Sequence, residues 1–320
     1  MNEKVGGLIF GAEFHYLDHL APLCALKNIP LLVTNRKVEK QAQTFYPDLE
    51  VSYFEEGTAP PQIAHQYDTL ITCMPRLLFD RIFLLAQGAL QKRVKTIWCP
   101  HGNSDKGRTS SFMEPLADEE HLLVYGERME NFLRDKGVNV PMTRVGNYRL
   151  TYFEKHRDFY ETLFPKRKEK TYLYAPTWQD QEKNSSFPHL WSHLQDAKLL
   201  VKLHPHLYRQ YPDEINQLRD KVELIEDFPP IYPILAKCDL LICDVSSIGY
   251  DFLPFEKPLL LLSDKASSDP SCALAQAGAQ LHSSQYADLF SFAEELTPKS
   301  SPLLEETFAP TCCDLESMLA

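Results

Sequence analysis

Short apolar runs alternate with amphipathic stretches along almost the whole chain, and no other feature restricts its fold as much. Residues 5–10, 30–34, 49–54, 68–73, 94–99 and 122–125 read as strands, each too short and too apolar to stand with one face in water. Between them, residues 16–27, 77–91 and 127–136 carry apolar side chains at three- and four-residue spacing and read as helices, the last closed by Gly137. Strands alternating with helices build a parallel sheet covered on both faces.

Residues 147–167 break the rhythm with a charged, aromatic-rich stretch, after which a second series begins: strands at 171–174, 198–203, 222–225, 239–243 and 259–262. At roughly 150 residues per domain, 320 residues make two. The expected architecture is α/β, with two Rossmann-like, doubly wound parallel-sheet domains facing a central cleft. Residues 1–150 form the first domain, 151–302 the second, and 303–320 a C-terminal helix that packs back on the first.

Composition narrows the function classes. With 44% apolar and 24% charged residues the chain is neither disordered nor membrane-spanning in character, and no apolar run approaches the roughly 20 residues a spanning helix requires. The opening MNEKVGGLIFGAEF runs straight into a strand without a cleavage pattern, so a cytoplasmic protein is expected. A net charge of -11 opposes sequence-independent nucleic-acid binding and strong adhesion to anionic lipid, leaving at most peripheral membrane contact. The eight cysteines form no CxxC pair; those in apolar runs (Cys73, Cys99, Cys238, Cys243) read as small buried hydrophobes, and adjacent Cys312 and Cys313 as free thiols.

Ligands of open parallel sheets bind beyond the carboxyl ends of the strands. Four such places carry chemistry: PHGNSDKG from Pro100, APTW from Ala175, HPH from His204, and DVSS from Asp244. Histidine exchanges a proton near neutral pH or lends charge to a phosphate. Gly102 and Gly107 let backbone N–H groups approach a ligand, Ser246 and Ser247 offer neutral donors where a helix starts, and Lys106, Arg108 and Lys202 add charge if they face inward. Together they suit an anionic substrate. Glu13 and His15, after the first strand, and Lys106 are placed to meet an acceptor.

Plainer roles exist for each. A histidine in a strand-to-helix loop is often structural, Asp244 and the serine pair suit a helix cap, Trp178 suits a core, and Pro205 suits a first helical turn. His204 and His206, with Asp244 and Asp251 downstream, form no recognisable metal spacing, because Pro205 puts the histidines in a turn and no third ligand follows; no metal and no cofactor are expected.

The ordered set HG (His101), YAPTW (from Tyr174), KLHP (from Lys202), CDLLICDVSSIGYDF (from Cys238) and EKPLLLL (from Glu256) resembles the CDP-glycerol glycerophosphotransferase family, the polymerases and primases of teichoic acid synthesis, which have the two-domain GT-B fold. The resemblance implies that 1–150 is the acceptor-side domain and 151–302 the nucleotide-donor domain. It implies that His101 and His204 are required for transfer; of the two, we expect His101 to be the general base and His204 to stabilise charge on the phosphates or leaving group, and the reverse assignment stays open. Donor binding falls to Gly102, Thr177, Trp178, His206, Asp244, Ser246, Ser247 and Asp251. An acceptor hydroxyl of a polyol, glycan or lipid-linked molecule would attack the β-phosphorus of CDP-glycerol, with CMP leaving. The HGNSDKG loop departs from the family's usual continuation, and Val245 stands where tyrosine is frequent.

Two other readings use the same residues. GT-B sialyltransferases and Kdo-type transferases carry an HP motif and paired serines that bind a CMP-sugar, so a glycosyltransferase with a CMP-sugar or other nucleotide-sugar donor is the first alternative. A catalytically silent nucleotide-sugar-binding protein is the second.

Overall fold

The computed structural model describes residues 3–103, 116–165, 167–178, 185–194, 199–264, 272–299 and 301–310. Among them, residues 3–102, 116–157 and 306–310 pack as one unit, and Asn103 with residues from 158 to 305 as another.

In the first unit the order is β1 (Val5–Ile9), α1 (Leu17–Lys27), β2 (Leu31–Val33), α2 (Arg36–Phe45), β3 (Val51–Tyr53), α3 (Ala59–Gln66), β4 (Thr69–Thr72), α4 (Arg76–Leu90), β5 (Lys95–Trp98), β6 (His121–Val124), α5 (Glu127–Asp135), β7 (Met142–Arg144) and α6 (Tyr148–Lys155). All the strand pairs are parallel, in spatial order β3-β2-β1-β4-β5-β6-β7. The chain starts mid-sheet, runs to one edge and then to the other, so the winding reverses between β1 and β4. That reversal opens the crevice in which doubly wound folds bind ligands. β4 is buried along its whole length, as a strand between two helical layers must be.

α1 is buried almost all round and is tied to α6 by one ion pair, Asp18 with Arg149, both shielded from solvent. The Arg149 Nε–H also donates to the Asp18 carbonyl at 3.0 Å, and the Tyr46 hydroxyl to the Asp18 carboxylate at 3.0 Å, so the buried charges have the extra hydrogen bonds such a pair needs. α2 starts where Asn35 accepts from the N–H groups of Lys37 and Val38 at 3.0 and 3.3 Å.

α7 (Arg157–Leu163) leads into the second unit: β8 (Tyr172–Ala175), α8 (Phe187–Leu190), β9 (Leu199–Val201), α9 (Leu207–Gln210), α10 (Pro212–Arg219), β10 (Glu223–Leu224), α11 (Tyr232–Lys237), β11 (Leu240–Cys243), α12 (Ser247–Phe252), β12 (Leu259–Leu262), α13 (Leu274–Ala277), β13 (Ala279–Leu281) and α14 (Leu289–Glu294). This sheet is also parallel, in order β10-β9-β8-β11-β12-β13, with its reversal between β8 and β11. Tyr172, Tyr174, Leu199, Val201, Leu240, Ile242, Leu260 and Leu262 form one side of its core. α15 (Leu303–Thr307) follows, and beyond it Phe308 packs edge-on against Tyr125 while the Ala309 N–H donates to the Tyr125 carbonyl at 3.0 Å. The C-terminal helix expected from CCDLESMLA falls outside the described residues.

Two strands escape the sequence pattern. Met142-Thr143-Arg144 and Ala279-Gln280-Leu281 are edge strands, which need apolar side chains on only one face. Most of the stretch read as charged and aromatic forms the helices α6 and α7, and α6 buries Tyr148, Tyr152 and Phe153. The cysteines among the described residues are all buried and free, while Cys312 and Cys313 lie outside them.

Candidate functional site

In the second unit, the expected donor residues gather beyond the carboxyl ends of β9, β8 and β11, three neighbours that flank the reversal. Thr177 and Trp178 follow β8, His204 and His206 follow β9, and Asp244, Ser246 and Ser247 follow β11. The rings of Trp178, His204 and His206 meet: Trp178 and His206 centroids lie 5.3 Å apart, His204 and His206 5.0 Å, and Trp178 and His204 6.5 Å. Trp178 is 37% exposed, so it is a half-open aromatic face rather than a core side chain.

His204 Nδ1 accepts the backbone N–H of His206 at 3.2 Å. An accepting Nδ1 places the proton of the neutral imidazole on Nε2, the form that donates a hydrogen bond to an anion. Pro205 creates that turn by carrying the chain directly from His204 to His206.

Asp244 is buried and builds the site's frame. Its Oδ2 accepts the Thr177 N–H at 2.7 Å and its Oδ1 the Ser186 N–H at 3.0 Å, so one carboxylate ties the end of β11 to both ends of the loop after β8. Ser185 adds a hydroxyl bond to the Thr177 carbonyl at 2.7 Å, and Ser186 meets the Tyr174 hydroxyl at 2.9 Å. Sequence reading passes over Ser185 and Ser186, because a serine pair ahead of a four-residue helix resembles any loop.

Ser246 occupies the N-cap position of α12, yet its side chain makes no capping bond, and both it and Ser247 are partly exposed. α12 is only six residues long, so the hydroxyls and the turn's N–H groups, more than a helix dipole, give this corner its polarity. Gly249 lets the end of the Leu274 side chain pack close, since a Cβ on it would stand 2.5 Å from the Leu274 Cδ2 methyl, which would have to shift. Asp251 lies on the buried side of α12, where it accepts the Tyr232 hydroxyl at 3.2 Å. The Lys202 ammonium donates to the Phe228 carbonyl at 2.8 Å.

In the first unit, His101 follows β5 and is ringed by aromatic side chains: Tyr16 at 5.4 Å between centroids, Trp98 at 6.2 Å, His15 at 6.3 Å and His19 at 6.5 Å. Burial among them lowers its pKa to about 4, so the imidazole is neutral at physiological pH. Its Nδ1 is shut off from solvent without a hydrogen-bond partner among the described residues. Gly102 follows with φ of +126°, a backbone turn that favours glycine. Glu13 and His15 form a pair at 3.4 Å after β1, so the structure brings these two expected acceptor-side residues together with His101. Lys106 lies outside the described residues.

The sequence reading missed Tyr16 and His19, which it treated only as part of a helix. His19 Nδ1 meets the Tyr125 hydroxyl at 3.1 Å, and that hydroxyl donates to the Pro100 carbonyl at 3.2 Å, one residue before His101. Burial, and then Arg149, hold the His19 pKa well below the usual histidine range. Among the described residues, no group of three or more His, Cys, Asp or Glu side chains is placed to hold a metal ion, and no helix is long and apolar enough to cross a membrane.

Two doubly wound parallel units, each with polar loops at the reversal of its sheet, define a chain of GT-B fold. Solved structures of that fold are similar over nearly its whole length. Staphylococcus aureus MnaA with UDP matches with a TM-score of 0.60 at 13% identity, over 97% of this chain and 92% of that one. The wall teichoic acid polymerase TagF matches at 0.60 and 12% identity, over 99% of this chain and 87% of that one, and a TagF structure soaked with CDPG at 0.56. Residues 144–267 match the family CDP-Glycerol:Poly(glycerophosphate) glycerophosphotransferase, a segment that holds Thr177, Trp178, His204, His206, Asp244, Ser246 and Ser247. Among curated proteins, the teichoic acid glycerol-phosphate primases are similar: that of Bacillus subtilis at 28% identity over 58% of this chain and 54% of its own length, and that of Bacillus spizizenii at 36% over 49% and 44%. The chain spans about half the length of these relatives.

Proposed function

We propose that this chain is a transferase that moves a glycerophosphate group from CDP-glycerol to an acceptor hydroxyl and releases CMP. The observation that carries the reading is the cluster beyond β8, β9 and β11, where Trp178, His204, Ser246 and Ser247 stand at the sheet reversal within the family-matched segment. In this reading the Trp178 face takes the cytosine ring, Ser246 and Ser247 donate to the pyrophosphate, and His204 Nε2–H donates to the oxygen that becomes a CMP phosphate oxygen. His206 orients His204 through its N–H, and Asp244 holds Thr177 and the Trp178 loop in place.

His101 is the base. The acceptor oxygen bonds to the β-phosphorus as the bond from that phosphorus to the CMP oxygen breaks, and the hydroxyl proton passes to the neutral imidazole. CMP departs with the bonding electron pair. A base with a pKa near 4 is poorly matched to neutral pH until negative charge arrives, so binding of the anionic donor raises its basicity at the moment it is needed. Glu13 and His15, beside it, suit an acceptor carrying hydroxyls, and a polyol, glycan or lipid-linked glycerol phosphate all present that group.

Product analysis tests the reading. Chain, CDP-glycerol and a glycerol-phosphate acceptor should yield CMP and an acceptor that keeps the donor's β-phosphate. A product carrying a sugar from a CMP-sugar, without that phosphate, would assign the chain to glycosyl transfer. Binding without any CMP release across acceptors would make it a silent nucleotide binder.

A further inference from the structure

His101 leaves the first sheet on a backbone with few handles. The ladder between β4 and β5 closes where the Cys99 N–H donates to the Thr72 carbonyl at 2.8 Å. The next residue, Pro100, has no N–H to give, and Gly102 beyond His101 has the φ of +126° already noted. The Pro100 carbonyl lies in the peptide plane that ends at the His101 Cα, so whatever holds it aims the imidazole. The Tyr125 hydroxyl donates to that carbonyl at 3.2 Å, and the Cys99 thiol adds only a weak contact at 3.7 Å.

Tyr125 is itself held on every side. It follows β6 directly, and its carbonyl accepts the N–H groups of Gly146 at 3.1 Å and Ala309 at 3.0 Å. Its buried ring stacks on Tyr148 with centroids 5.9 Å apart and meets Phe308 edge-on at 5.8 Å. Residues 307–309 lie so close that a Cβ on Gly126 would stand 2.5 Å from the Thr307 carbonyl oxygen. A carbonyl can only accept, so the Tyr125 proton goes to Pro100 and the tyrosine oxygen accepts the Nδ1–H of buried His19 at 3.1 Å. One hydroxyl thus joins α1 to the ends of β5 and β6, one residue from His101.

We infer that Tyr125 is a positioning residue for His101: through the Pro100 carbonyl it sets the direction in which the imidazole leaves the sheet. The inference rests on the reading of His101 as the base. Displacing a reacting group by about 1 Å can cost a hundredfold in rate, which is the scale of effect this bond controls. Tyr152 supplies the comparison, since its hydroxyl donates to the Pro47 carbonyl at 2.6 Å: the same kind of bond in the same unit, reaching none of the rings around His101.

Tyr125→Phe and Tyr152→Phe in the full chain test it, with CMP release from CDP-glycerol counted per folded molecule and the folded fraction read by circular dichroism at the assay temperature. Each variant loses one hydroxyl bond to a proline carbonyl, so the two are matched in what they take from the fold. Tyr125→Phe alone should lower kcat about ten- to hundredfold, with KM for CDP-glycerol within about twofold. It should also move the acid limb of kcat/KM from near pH 4 toward 6.5, because a loosened imidazole is less buried. Glu13, His15, Tyr16 and Arg149, the other titratable and charged groups around His101 and His19, are unchanged in that variant. Nuclear magnetic resonance of the histidine rings reads the same shift without turnover. In a His101→Asn background Tyr125→Phe should cost nothing further. Normal turnover in His101→Asn removes the base reading, and this inference with it. An inactive His101→Asn beside a Tyr125→Phe with wild-type kcat and acid limb, or a Tyr152→Phe that loses as much as Tyr125→Phe, overturns this inference alone.

Discussion

The carboxylate of Asp244 accepts the backbone N–H of Thr177 at 2.7 Å, across 67 residues of sequence. With its second oxygen on the Ser186 N–H, this one side chain decides where the loop carrying Trp178 sits relative to the serine turn. The aspartate and the serines of a single DVSS motif therefore have different tasks. Asp244 holds two chain segments together, while the partly exposed serines are the groups that the proposed function puts against the donor.

Asp244→Asn should separate these tasks. The amide retains one acceptor but turns an NH₂ toward a backbone N–H, leaving a buried donor without a partner at a cost of about 2–3 kcal/mol. The midpoint of denaturant unfolding should fall, and CMP binding with it. Unchanged stability would mean that the loop is held by other bonds.

Ser246→Ala and Ser247→Ala should do the opposite. Neither hydroxyl is spent on a cap, so stability should stay within about 0.5 kcal/mol. Hydrogen bonds to charged groups are worth about 1.5–3 kcal/mol, so CDP-glycerol affinity in calorimetry should drop about ten- to hundredfold for each. A stability loss with normal affinity would return the pair to the capping role.

His204→Asn keeps an acceptor near the position of Nδ1 and removes Nε2. The His206 turn should persist, and turnover should fall about a hundred- to ten-thousandfold with CMP affinity little changed. His204→Gln, which loses the accepting atom, should disturb the turn as well and weaken CMP binding. Equal activity in the Asn variant and the wild type would remove Nε2 from the reaction.

Much of this arrangement is legible in the sequence because strand-end loops of a parallel sheet are fixed by topology. Once strands at 171–174, 198–203 and 239–243 are recognised, Thr177, His204 and Ser246 must emerge at one edge. The partners of those residues are not legible. Asp244 and Asp251 read as donor ligands, and only the fold reveals that Thr177, Ser186 and Tyr232 occupy their carboxylates. The Tyr16 and His19 neighbours of His101 come from a helix whose periodicity reports burial without saying what it is buried against.

Glu119 offers a test of the first unit's core. Burial raises its pKa from the ordinary 4.5 to about 7, against hydrogen bonds from the Thr96 hydroxyl and the Arg76 N–H that favour the charged form. The folded state therefore holds a proton that the unfolded chain releases, and this group's contribution is full below pH 4.5 and lost as pH rises through about 7. In Glu119→Gln that decline should vanish, so the difference in stability between variant and wild type should grow in the variant's favour from pH 4.5 to 7. A constant difference across that range would place the Glu119 pKa at its ordinary value.

His101 has the opposite sign. Its pKa falls from the ordinary 6.5 to about 4, so the fold favours the neutral ring, with stability fully present above pH 6.5 and lost as pH falls through about 4. As the proposed base it must be neutral to act, and kcat/KM reports the free enzyme's groups. The acid limb of the kcat/KM profile assigned to it should thus lie near pH 4 rather than 6.5, provided the fold survives there, which far-ultraviolet circular dichroism at each pH checks. The kcat limb, which reports the donor complex, should lie higher, because bound phosphates favour the imidazolium. His101→Asn should abolish turnover by about a hundred- to ten-thousandfold and leave CMP binding by the second unit intact. A kcat/KM limb at the ordinary imidazole position would mean that the ring of Tyr16, Trp98, His15 and His19 does not bury His101 in the working enzyme.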